Sequence, residues 1–289
     1  MCAKKSGISG NRTKVFCIIG DPARHSLSPL MHNAAFNKLG MDSAFLAFDV
    51  KADMLKPAIE GMRVFGISGM TLTSPHKIAV MKLIDKIDED AELIGAVNTV
   101  VNKNGVLTGY NTDALGFYNA LRNVTSLNGK RVLIIGAGGA GKAATLEIAK
   151  NSSAEITVLN RHLKKAEDLR KNIKSKIGVG IKAAKLNHIS IIKAVEESDI
   201  LINTTTLTLE EANASPVPKT SLHRGQIVFD ANYVPLRNKL IRDALAKGCK
   251  VIYGTELLLQ QGFAAFKLFT GRNAPEAAMR RAIASRLGL

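Results

Sequence analysis

Val132-Leu133-Ile134-Ile135 runs straight into Gly136-Ala137-Gly138-Gly139-Ala140-Gly141 near the middle of the chain. The first four residues are apolar and mostly β-branched, which reads as a buried strand. Glycines at 136, 138 and 141 make the pattern G-x-G-x-x-G, and Lys142 to Lys150 continues with helical character. In such a strand–turn–helix unit the first glycine permits a sharp turn and the second lets the backbone approach a phosphate. The third lets helix and strand pack closely. The helix start then presents unpaired N–H groups to an anion. A tight turn without a ligand is the competing reading, and the flanking strand and helix favour a dinucleotide.

The next apolar run, Glu155-Ile156-Thr157-Val158-Leu159, ends in Asn160-Arg161-His162-Leu163-Lys164-Lys165. An NAD site usually closes this strand with Asp or Glu, about 20 residues past the glycines, to bind the ribose 2′-hydroxyl. That acid is missing here. Arg161 with Lys165 would attract a 2′-phosphate that a carboxylate would repel, so the cofactor expected is NADP. The alternative is a basic, solvated helix start, which the helix dipole disfavours.

Outward from the turn, strands and helices alternate along the whole chain, which predicts an α/β fold. Strands are expected over 15–19, 44–48 and 65–70, and a hairpin pairs 97–101 with 106–107 across Asn102-Lys103-Asn104-Gly105. Helices are expected from Ser28-Pro29, with Ser28 as N-cap and Pro29 first in the helix, and over 54–62. A second α/β unit starts at Arg131, with strands over 131–135, 155–159, 179–184, 199–203, 226–230 and 250–252. A dinucleotide turn normally opens its domain, yet a domain's length of chain precedes this one. The expected organisation is a substrate-binding domain over 13–111 plus 254–289, a Rossmann-like domain over 112–253 and a loose polar tail over 1–12.

At 289 residues with 46% hydrophobic and 22% charged content, the chain is ordinary for a globular protein with a large core. No apolar stretch reaches membrane-spanning length, and the start carries no apolar signal core. Three cysteines without a C-x-x-C pair suggest neither zinc nor a disulfide framework, so a reducing, cytoplasmic setting is expected. The net charge of +16 makes nucleic acid a candidate partner. The basic residues are dispersed, however, and carry no RNA-reading motif. A lysine-rich surface serving anionic small ligands is the simpler account, with no nucleic acid and no membrane as partner.

A cofactor domain leaves the substrate to the first half, where four segments dense in small polar groups each follow a strand. Ligands of open α/β sheets bind beyond the carboxyl ends of strands. In Asp21 to Pro29, Ser26 and Ser28 offer two hydroxyls to a polyhydroxylated ligand or its carboxylate; for Ser28, helix capping is the equal alternative. In Gly69 to Lys77, Pro75 suits a first helical position. That puts Lys77 in the first turn, where the dipole disfavours a cation and suits it to proton transfer; an ordinary solvated lysine is the equal alternative. Gly95-Ala96-Val97-Asn98-Thr99 and Gly109-Tyr110-Asn111-Thr112-Asp113-Ala114 complete the set. Asp113 could be a cap, but with Lys77 it forms a candidate proton-handling pair.

These segments, in this order, resemble the shikimate dehydrogenase (shikimate/quinate dehydrogenase) family. The resemblance runs from about Val15 to Gly271 through His25–Pro29, Thr71–Lys77, Gly95–Thr99, Asn111–Ala114, Gly136–Ala140, Asn160–His162 and Gly254–Gln261. It implies an oxidoreductase of aromatic amino acid biosynthesis that reversibly reduces 3-dehydroshikimate to shikimate with NADPH, hydride arriving at C3. Lys77 and Asp113 would work at the C3 oxygen, Ser26, Ser28 and Tyr233 at the carboxylate, and Thr73, Asn98 and Gln261 at the ring hydroxyls. Thr71 would also face substrate; it stands where the family usually has Asn. Gly136, Ala137, Gly138, Gly139, Ala140, Asn160, Arg161, His162, Lys165, Thr204 and Gly254 would line the cofactor. The resemblance further implies two α/β domains with C-terminal helices returning to the first, no metal, and a monomer or homodimer. A relative with relaxed substrate or cofactor preference, turning over quinate or using NAD, is the alternative.

Overall fold

The computed structural model describes residues 9–205 and 213–288; the tail expected over 1–12 therefore lies largely outside the described residues. The chain divides into two compact units, Met1–Thr112 with Leu259–Leu289 and Asp113–Leu258. Both are α/β, as the alternating pattern predicts.

The first unit begins β1 (Lys14–Gly20), α1 (Ser28–Lys38), β2 (Ser43–Asp49), α2 (Leu55–Val64) and β3 (Gly69–Leu72). It continues with α3 (His76–Ala79), β4 (Lys86–Ile87), α4 (Glu89–Ile94), β5 (Thr99–Lys103) and β6 (Val106–Tyr110). Its six-stranded sheet has the order β2-β1-β3-β5-β6-β4. β1 pairs in parallel with β2 and β3, while β3–β5 and β5–β6 are antiparallel. The hairpin turn is Asn104-Gly105, both at positive φ, +53° and +87°. Such a turn matches the twist of the paired strands. Alternation of side chains along β1 sends Cys17 and Ile19 into one core with Leu55, Ile59, Met62 and Met70. On the other face Phe16 meets Phe36 at 5.3 Å between ring centroids.

After α5 (Thr112–Arg122), the second unit runs β7 (Arg131–Ile135), α6 (Gly139–Asn151), β8 (Glu155–Asn160), α7 (Leu163–Ile177), β9 (Lys182–Lys185) and α8 (His188–Glu196). It ends with β10 (Ile200–Asn203), β11 (Ile227–Asp230), α9 (Lys239–Ala246) and β12 (Lys250–Ile252). Every pairing is parallel and the order is β12-β11-β10-β7-β8-β9. This is the doubly wound dinucleotide order, with its switch point between β7 and β10. Strands buried on both faces need continuous apolar runs, and Val132 to Ile135 and Ile200 to Ile202 are each at most 1% exposed. The chain closes with α10 (Gly254–Thr270) and α11 (Glu276–Leu287), and α11 packs on α1. Among the described residues no helix is long and apolar enough to cross a membrane.

Some local expectations shift. The strand foreseen over 65–70 is β3 at Gly69–Leu72, because α2 continues to Val64 and residues 65–68 reverse the chain; Phe65 is 81% exposed. Gly178, at φ +75°, stops α7 in a left-handed cap, and β9 starts only at Lys182. Ser28 lies inside α1 rather than capping it; Leu27 is the N-cap residue, and the Ser28 N–H donates to Ser26 Oγ at 3.2 Å. Pro75 sits one residue before α3, after a cis Ser74–Pro75 bond, in a turn closed by the His76 N–H on the Thr73 carbonyl at 3.0 Å. Lys77 is still in the first turn, but of a helix only four residues long.

Candidate active site

In the first unit the polar segments meet at one end of the sheet. β1 and β3 are parallel and leave it at Gly20 and Leu72, and antiparallel β5 enters beside them, with Thr99 opposite Thr71. The loop after β1 is shaped by Asp49, which accepts the Ala23 and Arg24 N–H groups at 2.7 and 2.9 Å and pairs with Arg24. These contacts hold the Asp49 carboxyl below its ordinary range, the backbone donors first. The loop after β3 is tied to it: the Asp21 N–H donates to the Ser74 carbonyl at 3.0 Å. A Cβ added at Gly20 would sit 2.2 Å from the Thr73 methyl, so glycine there lets the two loops touch.

Ser28 is buried and Ser26 half-buried beside it. Lys77 is half-buried, and its carbonyl accepts the Val97 N–H at 2.8 Å, which joins α3 to the segment entering β5. Asn98, 3% exposed, accepts the Thr112 N–H at 2.8 Å and donates to Thr112 Oγ1 at 3.1 Å. Thr112 Oγ1 reaches Gln261 Oε1 at 3.5 Å. The first unit therefore gathers Ser26, Ser28, Thr71, Thr73, Lys77, Asn98 and Gln261 at the strand ends. Thr71 is 6% exposed, and its Oγ1 is buried without a hydrogen-bond partner. A buried hydroxyl left unpaired is costly. Asp113 and Tyr233 belong to the second unit; Asp113 is in the first turn of α5, 9% exposed, and Tyr233 is half-buried in the loop after β11. Thr112 links Asn98 to Gln261; its place between Asn111 and Asp113 is the sequence signal for it.

In the second unit the glycine turn has the geometry its spacing foretold. Gly136 has φ +108°, and its N–H donates to the Leu159 carbonyl at 2.8 Å. A Cβ at Gly141 would lie 2.1 Å from the Gly136 carbonyl oxygen, so the third glycine is what lets α6 approach the strand. Added Cβ atoms at Gly138 and Gly139 meet nothing within 4 Å. That open backbone leads into the first turn of α6, whose N-cap, Gly138, has no capping side chain. An uncapped helix start beside open glycine backbone fits a pyrophosphate.

Asn160 accepts the Ala137 N–H at 3.2 Å and donates to the His162 carbonyl at 3.0 Å, holding the turn against the end of β8. Arg161, His162, Lys164 and Lys165 are all exposed there, which fits a 2′-phosphate. On the opposite side of the turn, Thr204 Oγ1 donates to the Ile135 carbonyl at 2.8 Å. Gly254 begins α10 against the loop after β11: a Cβ there would lie 2.5 Å from the Ala231 carbonyl oxygen. Cys17 and Cys249 are buried free thiols, and burial pushes Cys17 up to about 12.

Comparison with known proteins meets the chain in three segments. Residues 18–100 match the family described as shikimate dehydrogenase substrate binding domain, 119–231 match shikimate / quinate 5-dehydrogenase, and 254–284 match the shikimate 5′-dehydrogenase C-terminal domain. A protein of Thermococcus kodakarensis called shikimate dehydrogenase (NADP(+)) is 43% identical over 270 residues, 93% of this chain and 96% of that protein. A crystal structure of a shikimate dehydrogenase in complex with NADP+ is similar with a TM-score of 0.87 and 38% identity, covering 95% of this chain and 96% of the other. A shikimate 5-dehydrogenase from Listeria monocytogenes, in complex with shikimate and NAD, has a TM-score of 0.87 at 35% identity over 94% of this chain and 97% of its own.

Proposed function

The chain belongs to the shikimate dehydrogenase family, and on that premise we propose that it reversibly reduces 3-dehydroshikimate to shikimate with NADPH, in the pathway to aromatic amino acids. It is an NADP-dependent oxidoreductase acting on a CH–OH group. The observation that carries the substrate reading is the gathering of hydroxyl, amide and ammonium groups at the strand ends of the first unit. A small carboxylated polyol needs many directed hydrogen bonds, and its reducible carbonyl needs one cation at the oxygen that gains charge; this set offers both.

In this reading Ser26 and Ser28, with Tyr233, hold the carboxylate, and Thr71, Thr73, Asn98 and Gln261 hold the ring hydroxyls. Lys77 and Asp113 are the catalytic pair. As the C3 carbonyl is reduced, its oxygen gains negative charge; the Lys77 ammonium stabilises that charge and delivers the proton. Asp113 accepts from the same oxygen once it is a hydroxyl, as in shikimate. Gly136, Ala137, Gly138, Gly139 and Ala140 would receive the pyrophosphate, with Asn160 bracing the turn. Arg161, His162 and Lys165 would receive the 2′-phosphate, and Thr204 and Gly254 flank the nicotinamide end. NADPH bound there supplies the hydride.

The first unit is the substrate-binding domain and the second the cofactor domain. We place the enzyme in the cytoplasm, as a monomer or homodimer working on small molecules without nucleic acid or membrane. Two buried free thiols support a reducing compartment. A second reading, relaxed preference extending to quinate or NAD, is favoured by the unpartnered Thr71 hydroxyl where the family usually carries Asn. Initial rates at the NADPH absorbance band, with shikimate and quinate each against NADP and NAD, test both. Fastest turnover with shikimate and NADP is expected. Comparable quinate rates would favour the second reading, and no turnover of either substrate would overturn the assignment.

A further inference from the structure

Asp230, the last residue of β11, is fully buried, and among the described residues each side-chain partner donates to it. Oδ1 accepts from Asn203 Nδ2 at 3.1 Å, from the Asn232 N–H at 3.1 Å and from Asn232 Nδ2 at 2.8 Å. Oδ2 accepts from Asn238 Nδ2 at 2.5 Å. Amide N–H groups have no lone pair to offer in return. A protonated carboxyl would turn its own hydrogen onto a donor, so this pocket is shaped for the carboxylate. Burial pushes the Asp230 carboxyl above its ordinary value and outweighs the amide donors, which pull the other way. The charge is thus held by neutral dipoles; none of these partners is a cation.

The partners are not scattered. Asn203 ends β10, and its Oδ1 accepts the Thr205 N–H at 3.1 Å and the Thr205 hydroxyl at 2.6 Å. Asn232 Nδ2 also donates to the Thr205 carbonyl at 2.9 Å, closing a ring from Asp230 through both loops. Asn238 Oδ1 caps α9 by accepting the Ile241 N–H at 3.1 Å. One carboxylate therefore ties together the end of β10 with Thr205 just after it, the loop after β11 and the start of α9.

These loops mark one half of the cofactor site. The pyrophosphate turn is at β7 and the basic cluster for the 2′-phosphate is at β8. In the order β11-β10-β7-β8, the nicotinamide half extends over β10 and β11. With neighbouring strands about 4.8 Å apart, the end of β11 lies about 10 Å from the glycine turn. We propose that the Asp230 carboxylate is a positioning residue of the cofactor site, fixing the two nicotinamide-side loops, and that its buried negative charge favours the oxidised, positively charged nicotinamide over the reduced, neutral ring. At a protein-interior dielectric of about 20, a unit charge within about 10 Å of the nicotinamide ring is worth about tenfold or more in an equilibrium.

This inference rests on the NADP reading above, and the two can fail separately. The affinity of the unaltered chain for NADPH, followed by cofactor fluorescence, tests that reading by itself. The ratio of the NADP+ and NADPH dissociation constants in variants tests this one. Asp230→Asn is expected to raise that ratio about tenfold, weakening NADP+ more than NADPH. Asn238→Ala, which removes a donor and keeps the charge, should weaken both cofactors in parallel. Should Asp230→Asn fail to fold by circular dichroism, Asp230→Asn/Asn238→Ser is read in its place; serine still caps α9 and its hydroxyl can accept from the new amide. An unchanged ratio in the folded neutral variant would overturn the electrostatic role and leave Asp230 as a structural brace.

Discussion

Asn160 accepts the Ala137 N–H at 3.2 Å while its own amide donates to the His162 carbonyl, so one side chain couples the pyrophosphate turn to the basic segment after β8. Asn160→Ala removes both bonds. NADPH and NADH affinity should both fall, by roughly three- to tenfold, since one neutral hydrogen bond is worth about 1 kcal/mol, NADPH at least as much as NADH because the basic segment also loses its tie. Unchanged affinity for both cofactors would refute the bracing role.

Arg161 is exposed beside that brace and is the cation assigned to the 2′-phosphate. Arg161→Ala should weaken NADPH by about tenfold or more, as a charge-assisted bond is lost, and leave NADH nearly unchanged. Equal losses for the two cofactors, measured by fluorescence titration, would remove Arg161 from the 2′-phosphate site.

Lys77 is assigned a role at an oxygen that becomes charged only as the hydride arrives. Lys77→Ala should lower kcat by at least about 100-fold and change KM much less, the pattern of a group acting in the transition state. A variant with near-normal turnover would sink the assignment.

Thr71 separates binding from stability. Its hydroxyl is buried and unpartnered without substrate, so Thr71→Val should raise the stability of the free protein by about 1 kcal/mol. The same change should raise KM for shikimate if the hydroxyl meets a ring hydroxyl. A rise in Tm with KM unaltered would place Thr71 outside the substrate site.

His32 bears on acid stability. It is fully buried, its ring stacks on Phe45 at 4.5 Å, and neither ring nitrogen has a hydrogen-bond partner among the described residues. Burial lowers it from 6.5 to about 3. The folded form therefore resists protonation that the unfolded chain accepts. Stability is complete above pH 6.5 and falls as pH drops through the window down to about 3, by roughly 1.4 kcal/mol per pH unit. His32→Phe should abolish this contribution and move the acid unfolding midpoint to lower pH. A midpoint that stays in place would show that other groups govern acid unfolding.

Much of the fold was legible because it rests on periodicity and on glycine. The mostly β-branched run Val132 to Ile135, leading into glycines, reads as a buried strand, and Gly136 and Gly141 hold geometry that a side chain would block. The misses share a cause. Phe65 is apolar yet exposed, because α2 runs on to Val64 and the chain must turn before β3. Ser28 does not cap α1 because Ser and Thr near a helix start can serve several backbone groups, and which one is nearest depends on the whole loop; here Asp49, from another strand, sets that loop.

The sequence by itself determined the α/β class, the dinucleotide turn, the basic segment at Arg161 and the polar segments that follow strands, since these depend on local spacing and charge. Only the tertiary structure decided which groups share an environment. Asn98, Thr112 and Gln261 are joined at one sheet end though Gln261 lies far along the chain, and Thr71 is left unpartnered among them. Asp230 gathers Asn203, Asn232 and Asn238 from three segments. Burial and hydrogen-bond pairing are properties of contacts between distant parts of the chain, so no local pattern around Asp230 or Thr71 could have announced them.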